Sequence, residues 1–177
     1  MEPSEVIEAG DLVLRRWHPA WAEDLATSVR VSLPELRPFL AWAHDGYDVG
    51  DARAFIDAVQ RQWAEGSAFD YAVFTAHSEL VGSAGLMTRV GPGALEIGYW
   101  IHSAHCGRGY ATAVAGALAR VALALPGIER VVIKHDAANP ASGRVAAKAG
   151  FTEVERVQVE PMAPGDSGLD VIWERRR

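Results

Sequence analysis

The stretch that decides the fold runs from Ala94 to Thr112, ALEIGYWIHSAHCGRGYAT. Ala94 to His102 reads as a β-strand of branched and aromatic side chains, with Glu96, Gly98, Trp100 and His102 on one face. The pattern then switches. Two glycines flank Arg108, and from Gly109 to Leu125 the period is helical, with Val114, Leu118, Val121 and Leu125 on one stripe. Glycines let a backbone turn tightly and approach a ligand closely, and a helix start offers free N–H donors and a positive dipole end. Together they make a phosphate cradle, to which Arg108 adds a cation. A dinucleotide fingerprint would need glycine where Thr112 stands, and a nucleotide P-loop would need Gly-Lys-Ser/Thr. The segment is neither; taken alone, it also fits an ordinary glycine-rich helix cap.

Working outward, Arg130 to Asp136 is a strand, and Asn139 to Gly150 a helix with Asn139 as cap, Pro140 in its first turn and Gly150 as its stop. Phe151 to Val159 and Leu169 to Glu174 follow as strands around a Pro164-Gly165-Asp166 turn. Upstream, Phe69 to Ala76 and Glu79 to Arg89 join the Ala94 strand through turns at His77-Ser78 and Gly91-Pro92-Gly93, an antiparallel meander. Asp11 to Trp17 is a first strand closed by His18-Pro19. Two or three short helices come next, the clearest from Asp51 (its cap) to Trp63, ended by Gly66. A strand, helix, strand crossover within a meander predicts one central parallel pair in a mostly antiparallel sheet with flanking helices. The fold class is therefore α/β (α+β), in a single domain over 1–177.

With 177 residues, 49% hydrophobic and 23% charged, the chain can bury a real core. Lys+Arg 17 against Asp+Glu 23 gives −6, which excludes a dominant nucleic-acid surface despite the basic end Arg175 to Arg177. Cys106 is the only cysteine, so no internal disulfide or Cys-rich zinc cluster can form. MEPSEVIEAG has no apolar core of a signal peptide, and Ala111 to Leu125, interrupted by Arg120, is too short to span a bilayer. The expectation is a soluble cytoplasmic protein with no membrane and no direct nucleic-acid partner.

IGYWI, a spacer, then GRGYAT resembles the coenzyme A pyrophosphate motif of GCN5-related N-acetyltransferases (GNAT). HDAANPASGRVAAKAGF, His135 to Phe151, is similar to that family's second motif, Asn-x-x-Ser followed by Lys-x-Gly-Phe. LPELRPFLAWA, Leu33 to Ala43, looks like the branch of ribosomal-protein alanine and serine N-terminal acetyltransferases (RimJ/RimL-like). The resemblance implies the acyl-CoA N-acyltransferase fold, acetyl-CoA as co-substrate, no metal and a homodimer. It implies acetyl transfer to a primary amine, a protein N-terminus or a small molecule, by direct attack in a ternary complex. Carried onto this sequence, the cofactor-binding residues are Trp100, Ile101, His102, Gly107, Arg108, Gly109, Tyr110, Ala111, Thr112, Asn139, Ser142 and Lys148. Ser142 resembles the donor to the departing sulfur, and Asn139 combines helix capping with contact to the pantetheine arm. The motif departs from the family at Cys106, often Gln or Arg, and at Ala113, often Glu in this branch. Alternatives are a non-catalytic acyl-CoA-binding regulatory module and a succinyl-CoA donor.

Such a transfer must deprotonate the ammonium, stabilise an oxyanion and protonate a thiolate. At pH 7, deprotonating an α-amine of pKa ~7.7 costs about 1 kcal/mol, and a lysine of ~10.4 about 4.6 kcal/mol. A carboxylate suffices as base for the first. Glu96 and Glu160 are the candidates, each with a solvated strand-end carboxylate as its other reading. Trp42 or Trp63, in the helical region, is a candidate wall of the acceptor pocket. His135, Asp136 and Ser142 do not make a hydrolase triad, because adjacent strand residues point to opposite faces. His102, His105 and Cys106 lack the further ligands a metal needs, and Cys106 has no evident activating base.

Overall fold

Gly10, at φ +62°, and Asp11 form the two-residue turn of a hairpin joining β1 (Val6–Ala9) to β2 (Leu12–Arg16), with Ala9 opposite Leu12. Only glycine takes that backbone geometry without strain. Strand β1 lies upstream of the expected start of the sheet at Asp11. Its four residues are too few for their alternation to stand out in the sequence.

In the computed structural model, which describes residues 1–177, two helices follow this hairpin. A 3-10 turn over Pro19–Trp21, capped by His18, leads into α1 (Ala22–Leu36). Helix α2 (Val49–Glu65) begins before Asp51: Asp48 is the N-cap and Asp51 sits three residues on, each carboxylate accepting from the other's backbone N–H. That reciprocal pair satisfies two orphan donors where a cap at Asp51 would satisfy one. Gly66, at φ +70°, ends the helix as expected.

The remaining elements are β3 (Ala68–Thr75), β4 (Leu80–Met87), β5 (Ala94–Ile101), α3 (Tyr110–Ala124), β6 (Arg130–Asp136), α4 (Pro140–Lys148), β7 (Thr152–Gln158) and β8 (Leu169–Arg176). They form one eight-stranded sheet in the order β1-β2-β3-β4-β5-β6-β8-β7. Every neighbouring pair is antiparallel except β5 with β6, the parallel pair across which α3 makes the crossover.

Strand alternation divides the sheet between two cores. On one face Leu86, Leu95, Ile97 and Ile133 meet Val114, Ala115, Leu118 and Ala122 of α3, whose small side chains let it lie close to the strands. On the other, Ala72, Phe74 and Trp100 meet Leu25 and Val29 of α1 and Ile56 and Val59 of α2. Each buried Leu or Ile stabilises the fold by about 1.5–3 kcal/mol. Strand β5 thus turns Tyr99 toward the α3 side and Glu96, Gly98 and Trp100 toward the α1–α2 side.

Candidate active site

Pairing between β5 and β6 stops at Ile97↔Ile133, although β5 runs on to Ile101 and β6 to Asp136. The two strands part in the middle of the sheet. A groove of about 620 Å³ opens where they separate, with Ile97 to Ile101 along one edge and Ile133 to Asp136 along the other. A strand edge released from its neighbour offers N–H and C=O groups to an extended ligand.

At one end the groove meets the glycine loop. Gly107 and Gly109 both take φ +78°, which turns successive backbone N–H groups to one side. No side chain caps α3: Gly109 is its N-cap, and the first intrahelical hydrogen bond goes from Ala113 N to Gly109 O. The N–H groups of the first turn are left free, with the positive helix end behind them, and Gly107, Gly109, Tyr110, Ala111 and Thr112 all line the groove. That arrangement fits a pyrophosphate. His105 lies alongside, stacked 6.0 Å from Tyr110, its Nε2 3.1 Å from Glu79 and its buried Nδ1 without a partner.

Helix α4 is built in the opposite way. Asn139 caps it, its Oδ1 accepting from Ser142 N at 3.4 Å, and Pro140 stands in the first turn. This directs Ser142 at Tyr99, whose hydroxyl lies 2.7 Å from Ser142 Oγ. Burial pushes the Tyr99 phenol above its ordinary value, and the Ser142 hydrogen bond offsets part of that rise. A protonated phenol coupled to a serine hydroxyl can deliver a proton to a departing thiolate. Asn139, Ser142, Arg144 and Lys148 complete this wall.

The facing wall comes from Glu35, Leu36, Phe39 and Leu40, at and beyond the C-terminal end of α1, and from Asp166 in the β7–β8 connection. That connection is tied at two points. Gly165 N donates to Pro38 O at 2.7 Å, where an added Cβ would lie 2.6 Å from the same oxygen. Asp136 accepts from Ala138 N, Ser167 N, Ser167 Oγ and Gly168 N. Burial alone would raise the Asp136 carboxyl, but these four donors bring it down to about 2. Asp136 is thus a loop anchor. His135 points elsewhere, its Nε2 accepting from Trp173 Nε1 at 2.9 Å.

Of the residues expected to bind cofactor, Trp100, Ile101, Gly107, Gly109, Tyr110, Ala111, Thr112, Asn139, Ser142 and Lys148 come together around the groove. His102 and Arg108 are not part of its lining; His102 Nδ1 instead accepts from Ala104 N and caps the 3-10 turn over Ser103–His105. Glu96 is buried on the groove wall, both carboxylate oxygens held by Arg89 at 2.9 and 2.6 Å, with Lys134 Nζ 3.7 Å away. Glu160 is exposed beyond the end of β7 and does not line the groove. Trp63 is buried under Arg16, away from it. Trp42 is exposed, its ring centroid 6.1 Å from that of Trp100, and it is not part of the lining. Sequence reasoning passed over Tyr99, Arg144, Glu35 and Asp166. Tyr99 sits inside the quoted IGYWI motif, and the alternation that put Glu96 on one face put Tyr99 on the other.

Known structures share this fold over nearly the whole chain. The microcin C7 self-immunity acetyltransferase MccE, in complex with acetyl-CoA and AMP, is 20% identical with TM-score 0.87, over 95% of this chain and 93% of that one. The ribosomal L7/L12 α-N-protein acetyltransferase RimL, in complex with coenzyme A, is 24% identical with TM-score 0.88, over 97% and 98%. Mycobacterium smegmatis RimJ, in complex with CoA-disulfide, is 18% identical with TM-score 0.85, over 99% and 90%. At these identities the likeness speaks for the fold. No curated protein matches by sequence. Residues 11–152 match the acetyltransferase (GNAT) domain. That match spans the meander, the uncapped α3 loop and the Tyr99–Ser142 pair, and the chain belongs to the GNAT acetyltransferase family.

Proposed function

We propose that this protein transfers an acetyl group from acetyl-CoA to a primary amine, with a protein N-terminus as the acceptor class, by direct attack within a ternary complex. The observation that carries the reading is the Tyr99–Ser142 pair, set where β5 and β6 part and beside the uncapped start of α3. The amides from Gly107 to Ala111 hold the pyrophosphate, the free edge Gly98 to Ile101 holds the pantetheine arm, and Tyr99 with Ser142 supplies the proton to the sulfur. Acetyl-CoA itself brings the activated thioester.

The walls divide by charge. Arg144 and Lys148 stand on the α4 side, and Glu35 and Asp166 on the α1 side. The first suits an anionic cofactor and the second an arriving ammonium. An α-amine is the easier acceptor by about 3.6 kcal/mol over lysine at neutral pH, and RimL, of the same fold, is an α-N-protein acetyltransferase. A succinyl donor would call for a free cation near the thioester. Arg89 is bound to Glu96 through two hydrogen bonds and so cannot serve a succinyl carboxylate, which leaves Arg144 and Lys148 as the cations such a donor would need.

The test is thiol release from acetyl- and succinyl-CoA with peptides starting in Ser or Ala and with a panel of small amines. Acetyl-CoA with a peptide is expected to turn over fastest. Ser142→Ala is expected to lower kcat by about 10–100-fold while leaving KM for acetyl-CoA within about twofold. Coenzyme A binding with no thiol release from any acceptor would instead establish a non-catalytic module.

A further inference from the structure

The amine must lose a proton before it attacks. Of the four carboxylates lining the groove, Asp136 is taken up by its four donors and Glu96 by Arg89, while Glu35 and Asp166 stand on the facing wall, across from β5. A further carboxylate lies on the same face of the sheet as Glu96. Asp70, on β3, stands opposite Gly85 of β4, which stands opposite Gly98 of β5, the first residue past the point where β5 leaves β6. Both positions are glycine, so no Cβ separates Asp70, which stands behind the groove lining, from Gly98. The one side-chain atom over Gly98 is the flexible Met87 methyl, 3.0 Å from where a Cβ would sit. At Gly85 the reason is direct: an added Cβ would lie 2.3 Å from Asp70 Oδ1, so the carboxylate rests over the Gly85 backbone. Neighbouring strands are ~4.8 Å apart, which puts that carboxylate about one strand spacing from Gly98.

Asp70 is half-buried and no hydrogen bond reaches its carboxylate. Arg89 is the charge acting on it, with Glu96 and Lys134 beyond. Helix α2, packed on β3, turns Ala52, Ile56, Val59 and Trp63 inward, and the buried residues of α1 are likewise uncharged. Burial raises the Asp70 carboxyl to about 7, with Arg89 opposing the rise. Such a group is partly ionised at neutral pH and close to an α-amine in proton affinity.

We propose that Asp70 is the base of the transfer, taking a proton from the incoming ammonium through one bridging water. This rests on the amine-transfer reading above. The neutral amine nitrogen then bonds to the acyl carbon, and the C–S bond breaks with its electron pair on sulfur. The sulfur receives the second nitrogen-bound proton by way of Tyr99 and Ser142, and Asp70 returns the first proton to solvent. Glu96 acts by holding Arg89, which stabilises the ionised form of Asp70.

The experiment compares wild type with Asp70→Asn, using acetyl-CoA and the best peptide acceptor. The variant is expected to lose about 100-fold in kcat with KM for acetyl-CoA unchanged. In the wild type, kcat should rise with pH to a plateau above about 7, in a limb that stays in place when the acceptor amine is changed and disappears in the variant. A limb set by the acceptor's own amine would move with the acceptor. Melting at pH 8 separates the base from a structural role, because an isosteric amide relieves a poorly solvated charge and should leave Tm equal or higher. Wild-type turnover with Asp70→Asn within twofold overturns the assignment, as does a kcat loss accompanied by a lower Tm. Absence of wild-type turnover with every amine overturns the transferase reading and the base together.

Discussion

Tyr99 and Ser142 are 43 positions apart in sequence and 2.7 Å apart at their oxygens. Ser142 could be singled out from its motif alone, because a helix cap and a proline fix where a first-turn serine stands. Tyr99 could not, since its partner is chosen by the packing of α4 over the sheet and by the parity of β5. Asp70 was invisible for a related reason: nothing near it in the chain signals a site, and its position emerges from register across three strands. Burial keeps the Tyr99 phenol protonated at neutral pH, ready to donate. Tyr99→Phe keeps the ring and removes the proton. It is expected to reduce kcat by about 10–100-fold with little change in acetyl-CoA KM, measured by steady-state thiol release. The fold should tolerate it, because Ser142 can turn its hydroxyl to water in the groove.

Three helix starts in this chain obey different rules. Helix α2 is closed by the Asp48–Asp51 box and α4 by Asn139, whereas α3 is left open. The open start is the functional one. Asp48→Ala should cost about 1 kcal/mol of stability, read by urea denaturation, and leave coenzyme A affinity unchanged. Gly109→Ala should do more. Space is free around an added methyl, so the steric environment is permissive, but φ +78° costs a non-glycine residue about 1–2 kcal/mol. Relaxing that φ would turn the first amides of α3 away, so coenzyme A affinity should fall as well, as calorimetric titration would show. Elements with strong punctuation were legible in sequence: β6 was read with both its ends, and α4 from its Asn-Pro start and Gly150. The cap of α2 was not, because two cap-forming aspartates stand three apart and only their reciprocal bonds tell which is outside the helix.

Across the whole molecule, two carboxylates titrate in opposite directions. Asp136 is held down to about 2, below its unfolded value, so its contribution is present at neutral pH and fades as pH falls from about 4 toward 2. Asp70 is raised to about 7, so the folded state binds its proton more tightly than the unfolded chain, and stability declines as pH rises from about 4 to 7. Denaturation curves across pH should therefore show a decline between pH 4 and 7 that Asp70→Asn flattens. Asp136→Asn should instead cost about 1–3 kcal/mol at pH 7, by turning an amide toward donors that need an acceptor, and should weaken the acid limb. The one parallel pair followed from the crossover pattern, whereas the placing of β8 between β6 and β7 was fixed only by the packing. The wall of Glu35, Phe39 and Asp166 was not legible either, because it joins a helix end to a hairpin loop more than a hundred residues away. The ties at Pro38 and Asp136 give that wall a thermodynamic character of its own. Its backbone is already ordered before any acceptor arrives, so binding need not include the entropy of closing a loop. Acceptors should be sorted by fit to a fixed shape, and the amides of Gly165, Ser167 and Gly168 should resist hydrogen exchange with no ligand present.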